Sequence, residues 1–440
     1  MLKKITLIFF YIYFLSLLFL LIYVFFKDFL LFNNNLKHYY KFYYYFLITI
    51  LFIGIFFFII KKIRIYFFIF TVSLLASFYL FEFYKSYKIL VKNYSNKNIL
   101  NYIDDVKHLN PVIATSGENH KNNLYFLSGI SNKLTIHCNE SGFFSKYFSD
   151  RYGFNNPDYL WSKKKIKIFL LGDSYVHGAC VDGGNDIASH LRNITKKDVI
   201  NLGWHGNSIL KEYATFIEYA KGINFEYVFI FYFESNDLDE LKDELKNNIL
   251  KEYIQNKSFS QNLKENNNII NNIKLESYKN FLEKSKDIYY PEFSFKKKFL
   301  LNFIKLNNVR YLIFNFINFN LNQNNLSTEN LNNTSMEDYL LILKKLNQEV
   351  LLNKAELVFV YLPKYKQYST SYLNKNTLIE KKRLLNHIKN MNIQIIDIDY
   401  LISKKISDPL SLYPNRTDGH FNNSGYQFIA KEINNFLEIK

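Results

Sequence analysis

Three long stretches without a charged residue limit the structures that the first 85 residues of this 440-residue chain can form. They cover residues 5–26, 42–60 and 65–81. A helix needs about 20 predominantly apolar residues to cross the hydrocarbon core of a bilayer. The first stretch is long for the apolar part of a signal peptide, and no small-residue cleavage site follows it. Residues 1–85 therefore predict a membrane anchor with three transmembrane α-helices.

Basic residues next to these stretches predict the orientation of the chain. Lys3 and Lys4 precede the first stretch, and Lys61, Lys62 and Arg64 lie between the second and the third. Basic residues that flank membrane spans tend to stay in the cytoplasm. The first external loop also carries lysines, so the bias is not uniform. We expect a multi-pass protein of the cytoplasmic (inner) membrane that contacts lipid through its N-terminal spans. Its C-terminal domain is expected to be extracytoplasmic (periplasmic).

The formal net charge of +16 does not by itself indicate a nucleic-acid partner. Lysines are scattered among Asn, Ile, Phe and Tyr along the chain rather than gathered in a patch. A domain outside the cytoplasm also rarely meets DNA. We therefore expect a solvated lysine-rich surface, with weak attraction to anionic lipid or acidic glycans and no nucleic-acid partner.

Cys138 and Cys180 are the only two cysteines. In an oxidising compartment such a pair can form a disulfide, and we hypothesise that these two are bonded. The bond would tie the segment ahead of the catalytic region to the loop after Ser174. Neither cysteine has the spacing of a metal site, so we expect no metal and no other cofactor.

Hydrophobic patterning divides the remaining chain into a polar connector, residues 86–165, and an alternating region, residues 166–440. Alternating strands and helices predict an α/β fold in which helices cover both faces of a parallel sheet. The pattern pauses at residues 238–335, which read as a helical insertion. Predicted strands are 166–171, 198–202, 227–233, 357–362 and 394–398. Predicted helices are 186–193, 208–220, 336–353, 378–389 and 423–438.

A Gly-Asp-Ser motif at residues 172–174 follows the first predicted strand. A serine placed just past a buried strand is a common way to present a nucleophile. Three short motifs follow in order: Asn-Leu-Gly at 201–203, Ser-Asn-Asp at 235–237 and Asp-Gly-His at 418–420. Because ligands gather at the carboxyl ends of parallel strands, the first three motifs are expected at one edge of the sheet.

These motifs contain the groups that acyl-transfer chemistry needs. Ser174 is the candidate nucleophile, and His420 is the candidate base that accepts its proton. Asp418 is the candidate partner of the second ring nitrogen of that histidine. The backbone N–H groups of Ser174 and Gly203 and the side-chain amide of Asn236 are the candidate oxyanion hole.

Each motif also has a purely structural interpretation. Gly203 would serve a turn at a strand end, Asn236 would cap a helix, and the Asp-Gly pair at 418–419 is a favoured turn. His177 and His205 lie beside the candidate site, and each is interpreted as a substrate contact, a packed ring or an alternative base. The joint occurrence of the motifs in this order favours catalysis.

The motifs resemble those of the SGNH hydrolases, also called GDSL hydrolases. Residues 172–178, 201–206, 234–237 and 418–426 are similar to four blocks of that family. The resemblance implies a flavodoxin-like three-layer α/β/α fold over residues 166–440 and ester chemistry through a serine acyl-enzyme. Many members place the acid three residues before the histidine, where this chain has Thr417. The spacing of Asp418 and His420 resembles the variant in surface-polysaccharide acetylation proteins.

The resemblance and the expected location together predict a membrane-anchored extracytoplasmic serine esterase or O-acyltransferase. Its substrate would be an ester-linked acyl group, on a cell-surface glycan or a smaller ester. A transferase would also need a membrane partner that delivers the acyl group. The alternative is a non-catalytic glycan-binding component of a polysaccharide assembly or export complex. A lipase-like activity, suggested by the 44 phenylalanines and 36 tyrosines, is the third hypothesis.

Overall fold

The computed structural model describes residues 2–31, 38–95, 99, 102–103, 106–289, 300, 303–310, 312, 327–369 and 375–439. The chain divides into two compact units. The first comprises Met1–Val91 and Glu292–Asn322, and the second comprises Lys92–Pro291 and Gln323–Lys440.

The first unit contains three apolar helices, α1 (Leu2–Leu31), α2 (His38–Ile59) and α3 (Arg64–Ser95). Two stretches within them, Lys3–Phe26 and Arg64–Ser86, are long and apolar enough to cross a membrane. The apolar part of α2, Tyr44–Ile59, is shorter. Two candidate spans are therefore present in the described residues, and the third predicted span, 42–60, stays a prediction.

A segment of the predicted insertion belongs to this first unit. Glu82 of α3 is fully buried. Its carboxylate accepts hydrogen bonds from Asn308 N at 2.9 Å, Asn308 Nδ2 at 2.8 Å and Val309 N at 3.1 Å. The insertion at 238–335 is therefore shared between the two units rather than forming one helical block.

A five-stranded parallel sheet forms the centre of the second unit. Its strands are β6 (Lys165–Leu171), β7 (Val199–Asn201), β8 (Asn224–Phe233), β9 (Glu356–Leu362) and β10 (Gln394–Asp397), in the order β10-β9-β8-β6-β7. This is the flavodoxin-like order, whose topological switch point lies between the first and third strands in sequence. The predicted parallel α/β fold is confirmed, and the switch point falls between β6 and β8.

Helices cover both faces of this sheet because successive strand residues point to opposite sides. Phe169 and Ile230 pack into a core with α6 (Ile209–Tyr219), α10 (Ser327–Leu352) and α12 (Lys375–Asn390). Ile168 and Phe229 pack into a second core with α5 (Ile187–Thr195), α13 (Ile398–Lys405) and α14 (Asn423–Glu438). The result is three layers. Further α-helices described in this unit are α4 (Ser174–His177), α7 (Asp237–Glu244), α8 (Asn248–Gln255), α9 (Asn267–Tyr289) and α11 (Lys366–Ser369).

The segment predicted as a polar connector has strands of its own. They are β1 (Val112–Ile113), β2 (Gly117–Asn119), β3 (Leu124–Phe126), β4 (Leu134–Ile136) and β5 (Lys146–Phe148). Strands β1, β4 and β5 form one small sheet, and β2 pairs with β3. Phe126, Phe154 and Trp161 join the core on one face of the main sheet. The described part of this segment is therefore an integral part of the α/β unit.

Helix α9 of the insertion packs on this segment through buried polar contacts. Lys274 Nζ donates to Ser128 Oγ at 2.9 Å and to the Gly129 carbonyl at 2.8 Å. Burial lowers the pKa of Lys274 to about 7. Asn271 Oδ1 accepts from Ser131 N at 2.8 Å. These contacts hold α9 against residues 128–131.

Candidate active site

The loop after β6 presents Ser174 at the first position of helix α4. Asp173 caps this helix, since its Oδ1 accepts from Tyr175 N at 2.9 Å. The turn passes so close to the helix that a Cβ on Gly172 would lie 2.4 Å from Val176 Cγ2. A backbone N–H in the first turn of a helix has no partner within that helix. The Ser174 N–H is therefore available to an oxyanion.

Ser174 and His420 come together as the sequence predicts. Ser174 Oγ lies 2.9 Å from His420 Nε2, within hydrogen-bond distance. His420 precedes α14, whose N-cap Asn422 accepts from Gly425 N at 3.1 Å. The ring of Tyr175 packs against the imidazole with centroids 4.9 Å apart. Helix capping and ring packing thus fix the histidine beside the serine.

The partner of the second ring nitrogen of His420 is Glu140, which the sequence did not predict. Glu140 Oε1 lies 2.9 Å from His420 Nδ1, and Glu140 Oε2 accepts from the His420 backbone N–H at 2.7 Å. The predicted partner, Asp418, is exposed and makes no hydrogen bond or ion pair within the described residues. The expected Asp418–His420 contact was wrong. The carboxylate of Glu140 instead faces both the ring Nδ1 and the backbone N–H of His420.

Glu140 reaches this position because two neighbours make room for it and hold its loop. A Cβ on Gly419 would lie 2.4 Å from Glu140 Oε2, so only glycine leaves space for the carboxylate there. Cys138 is bonded to Cys180, with their Cα atoms 5.0 Å apart, as hypothesised from the sequence. The disulfide anchors the β4–β5 loop two residues before Glu140. The closeness of Glu140 to Cys138 in the sequence is a signal that could have pointed to Glu140.

Substituting Gly419 with alanine should therefore displace the Glu140 carboxylate and lower kcat. A misplacement of about 1 Å costs roughly 100-fold in rate in favourable cases, and we expect a loss of about 10- to 100-fold. The measurement is kcat on a small acetyl ester. In a Glu140→Ala background the Gly419→Ala change should lower kcat little further, since the carboxylate that it would displace is absent. An equal loss of kcat with and without Glu140 would show that the effect of Gly419→Ala does not pass through Glu140.

Two of the three expected oxyanion donors already have partners. The Gly203 N–H donates to Asn201 Oδ1 at 2.9 Å, which makes an Asx turn. Gly203 is therefore corrected to a packing role, in which a Cβ would lie 2.6 Å from His177 N. Asn236 Nδ2 donates to Glu240 Oε1 at 2.9 Å. An amide nitrogen carries two hydrogens, and the Asn236 amide also interacts with the Asp173 carboxylate, which partly offsets the rise in the pKa of Asp173.

Buried and half-buried carboxyl groups lie at this edge of the sheet, and those of Asp173 and Glu240 interact with Asn236. Burial raises the pKa of Asp173 to about 6 and the pKa of Glu240 to about 7. Burial also raises the pKa of Glu212 and of Asp237 well above their ordinary values. In each case the cause is burial, which disfavours the ionised form of the carboxyl group.

His177 and His205 lie beside the site, but neither makes a described hydrogen bond to Ser174. Both rings pack on Trp204, with centroids 4.4 Å and 5.1 Å away. His177 Nε2 lies 2.8 Å from Tyr147 Oη. Burial lowers the pKa of His177 well below its ordinary value and the pKa of His205 to about 4. Of the interpretations left open by the sequence, the geometry favours packed rings over an alternative base.

Comparison with known proteins finds similarity only among solved structures. No protein-family profile matches the chain, and no curated protein sequence matches it. A protein of the G-D-S-L family from Desulfitobacterium hafniense is 13% identical with a TM-score of 0.32, covering 62% of this chain and 98% of that one. The acetyl xylan esterase AlAXEase is 10% identical with a TM-score of 0.32, covering 61% and 98%. The acetylxylan esterase Axe2 from Geobacillus stearothermophilus is 11% identical with a TM-score of 0.31, covering 61% and 92%.

These identities and TM-scores are low, so we base the chemistry on this chain's own geometry. The strand order and the position of Ser174 after the first strand of the sheet are those expected from the motif blocks. The resemblance to SGNH hydrolases is thus confirmed as a resemblance of fold.

Proposed function

We propose that this chain is a serine esterase of the SGNH type. The observation that carries the proposal is the hydrogen-bonded series Ser174–His420–Glu140 at the carboxyl end of β6. A hydroxyl, an imidazole and a carboxylate in this order are the parts of a serine hydrolase triad, which is recognised by geometry rather than by sequence position. The series also lies at the switch point of the sheet, where ligands of such folds bind.

The chemistry follows from the positions of these groups. Ser174 Oγ attacks the carbonyl carbon of an ester, and His420 Nε2 takes the hydroxyl proton. The carbonyl oxygen becomes an oxyanion that accepts from the Ser174 N–H and, as a second proposed donor, from Asn236 Nδ2. His420 then gives its proton to the departing alcohol, which leaves an acyl group on Ser174. Water then attacks the acyl group, and the same steps in reverse order release Ser174. In a transferase, a sugar hydroxyl takes the place of water.

Glu140 has two effects in this scheme. Its Oε1 accepts from Nδ1–H, which selects the tautomer with a free lone pair on Nε2. Its charge also stabilises the imidazolium that forms when His420 takes the proton of Ser174. The second contact, from the His420 backbone N–H to Oε2, holds the carboxylate at a second point. Glu140 therefore takes the role that the sequence assigned to Asp418.

We propose an acylated cell-surface glycan as the substrate class, with the chain anchored in the membrane by its apolar helices. A cavity of about 350 Å³ next to the disulfide is lined in part by Phe143, Phe144, Asn415 and Asn422. Phe143 is 81% exposed. The exposed ring of Phe143 and the half-buried ring of Phe144, next to side-chain amides, match the apolar face and the hydroxyl groups of a sugar. A periplasmic location and a membrane partner that supplies an acyl donor are further parts of this proposal.

A serine-directed probe tests the proposed mechanism. Full-length protein in detergent is treated with a fluorophosphonate, and hydrolysis of small acetyl esters is measured in parallel. Labelling and hydrolysis are expected in the wild type and in Ser411→Ala, a control at an exposed serine. Both should be lost in Ser174→Ala. A folded wild-type protein that is neither labelled nor active would instead favour the non-catalytic glycan-binding hypothesis.

A further inference from the structure

Three histidine rings meet beside the nucleophile helix. The centroids of His137 and His177 are 4.3 Å apart, those of His137 and His205 are 5.4 Å apart, and those of His177 and His205 are 5.8 Å apart. One potential ligand atom from each residue lies within 4.8 Å of the other two. The Nδ1 atoms of all three are buried and have no hydrogen-bond partner among the described residues.

Unpaired buried nitrogens on three adjacent rings need a physical explanation. Burying a polar group without a partner is costly, and most buried polar side-chain atoms in proteins are hydrogen-bonded. Packing of His177 and His205 on Trp204 accounts for the burial of their ring faces, but it gives their Nδ1 atoms no partner. A ligand that binds lone pairs would satisfy all three nitrogens at once.

The second nitrogen of His177 has the partner that a metal-binding histidine needs. His177 Nε2 lies 2.8 Å from Tyr147 Oη. Histidines that bind metals usually donate their other ring N–H to such a second group, which fixes the tautomer. With Nε2–H donating to Tyr147, Nδ1 of His177 carries the lone pair that can bind a metal.

We propose that His137, His177 and His205 bind one divalent cation of the zinc class. Imidazole ligands suit zinc, copper, nickel and iron. Three histidines with a fourth position left to water or a substrate form a common zinc site, with Zn–N distances of about 2.0–2.1 Å. Small ring movements are needed to bring the nitrogens to one ion. His137 and His205 are half-buried as residues, whereas His177 and the Nδ1 atoms of all three rings are buried.

This inference goes beyond the proposed esterase function, which uses no metal. The three histidines come from different elements: His137 directly follows β4, His177 ends α4, and His205 lies in the loop after β7. A bound ion would therefore join these elements next to the helix that begins with Ser174. We expect metal binding to raise the thermal unfolding temperature of the protein, whether or not it changes ester hydrolysis.

The test is a metal titration that does not depend on activity. Full-length protein is purified in detergent with an affinity tag free of histidine, treated with a chelator and titrated with Co²⁺ and then with Zn²⁺. We expect one equivalent of Co²⁺ to bind with visible d–d bands, and Zn²⁺ to displace it. His205→Gln should abolish the bands. Tyr147→Phe, which keeps the ring, should weaken binding by about 10- to 100-fold. The control is His387→Gln, at an exposed position of α12.

Two results would overturn the inference. One is a wild-type protein that retains neither Co²⁺ nor Zn²⁺, which would leave the rings as a packed cluster on Trp204. The other is tight binding that persists in folded His205→Gln and Tyr147→Phe proteins, which would place the ion elsewhere. Thermal unfolding of each variant without metal shows whether it is folded. Ser174→Ala should bind Co²⁺ like the wild type, so the titration stays informative if the esterase proposal fails.

Discussion

Glu140→Gln is expected to lower kcat for ester hydrolysis by roughly 10,000-fold, as amide replacement of a triad carboxylate does in serine proteases. The reason lies in the two contacts of the carboxylate with His420. Both oxygens face N–H donors, one on the ring and one on the backbone. An amide offers only one oxygen, so its NH₂ group must face one of these donors. The backbone cannot give up its hydrogen, but the imidazole can change tautomer.

The glutamine should therefore direct its oxygen to the backbone N–H and its NH₂ group to Nδ1. This selects the tautomer with the hydrogen on Nε2, which cannot accept the proton of Ser174. We accordingly expect Glu140→Gln to lose at least as much activity as Glu140→Ala, although glutamine is the closer replacement in shape. KM for a small acetyl ester should change little, because Glu140 touches the base and not the substrate.

Asp418→Asn is the matched control, since it makes the same chemical change at the position that the sequence favoured. Asp418 is exposed, and its substitution should leave kcat unchanged. A large loss in Asp418→Asn together with an active Glu140→Gln protein would restore the assignment made from the sequence. Fluorophosphonate labelling of both variants separates loss of nucleophile activation from loss of folding.

The acid was missed because sequence spacing reports contacts within one loop and not contacts between loops. Ser174 and His420 could be predicted, since each sits in a motif at the end of a regular element. Glu140 lies in an irregular loop between two short strands, far from both motifs in the sequence. Its position depends on the Cys138–Cys180 bond and on the space left by Gly419, both of which are tertiary features.

The same distinction explains which parts of the fold were predictable. The central strands are continuous apolar runs because both of their faces are buried, so β6, β8 and β9 could be located closely. The short strands β1 to β5 have no such runs, and their segment was predicted as a connector. The start of the predicted helical insertion contains two helices, α7 and α8, because Asn247 caps α8 through a bond from Leu250 N.

Loss of the Cys138–Cys180 disulfide is expected to lower both stability and activity. The bond closes a loop with a sequence separation of 42 residues. The chain-entropy model gives a stabilisation of roughly 4 kcal/mol for a loop of this size. The activity should fall as well, because Glu140 follows Cys138 by two residues and its loop would lose that anchor. The measurements are the free energy of unfolding and kcat for the Cys138→Ser, Cys180→Ser double variant.

A double-mutant cycle shows whether the activity loss passes through Glu140. Substitutions that act through one shared contact are not additive. Removing the disulfide should therefore lower kcat in the wild type, but lower it little further in the Glu140→Ala protein. The loss of stability should be similar in both backgrounds, since it arises in the unfolded chain. If kcat falls by the same factor with and without Glu140, the disulfide supports the Ser174 loop directly, through Cys180, and not the position of Glu140.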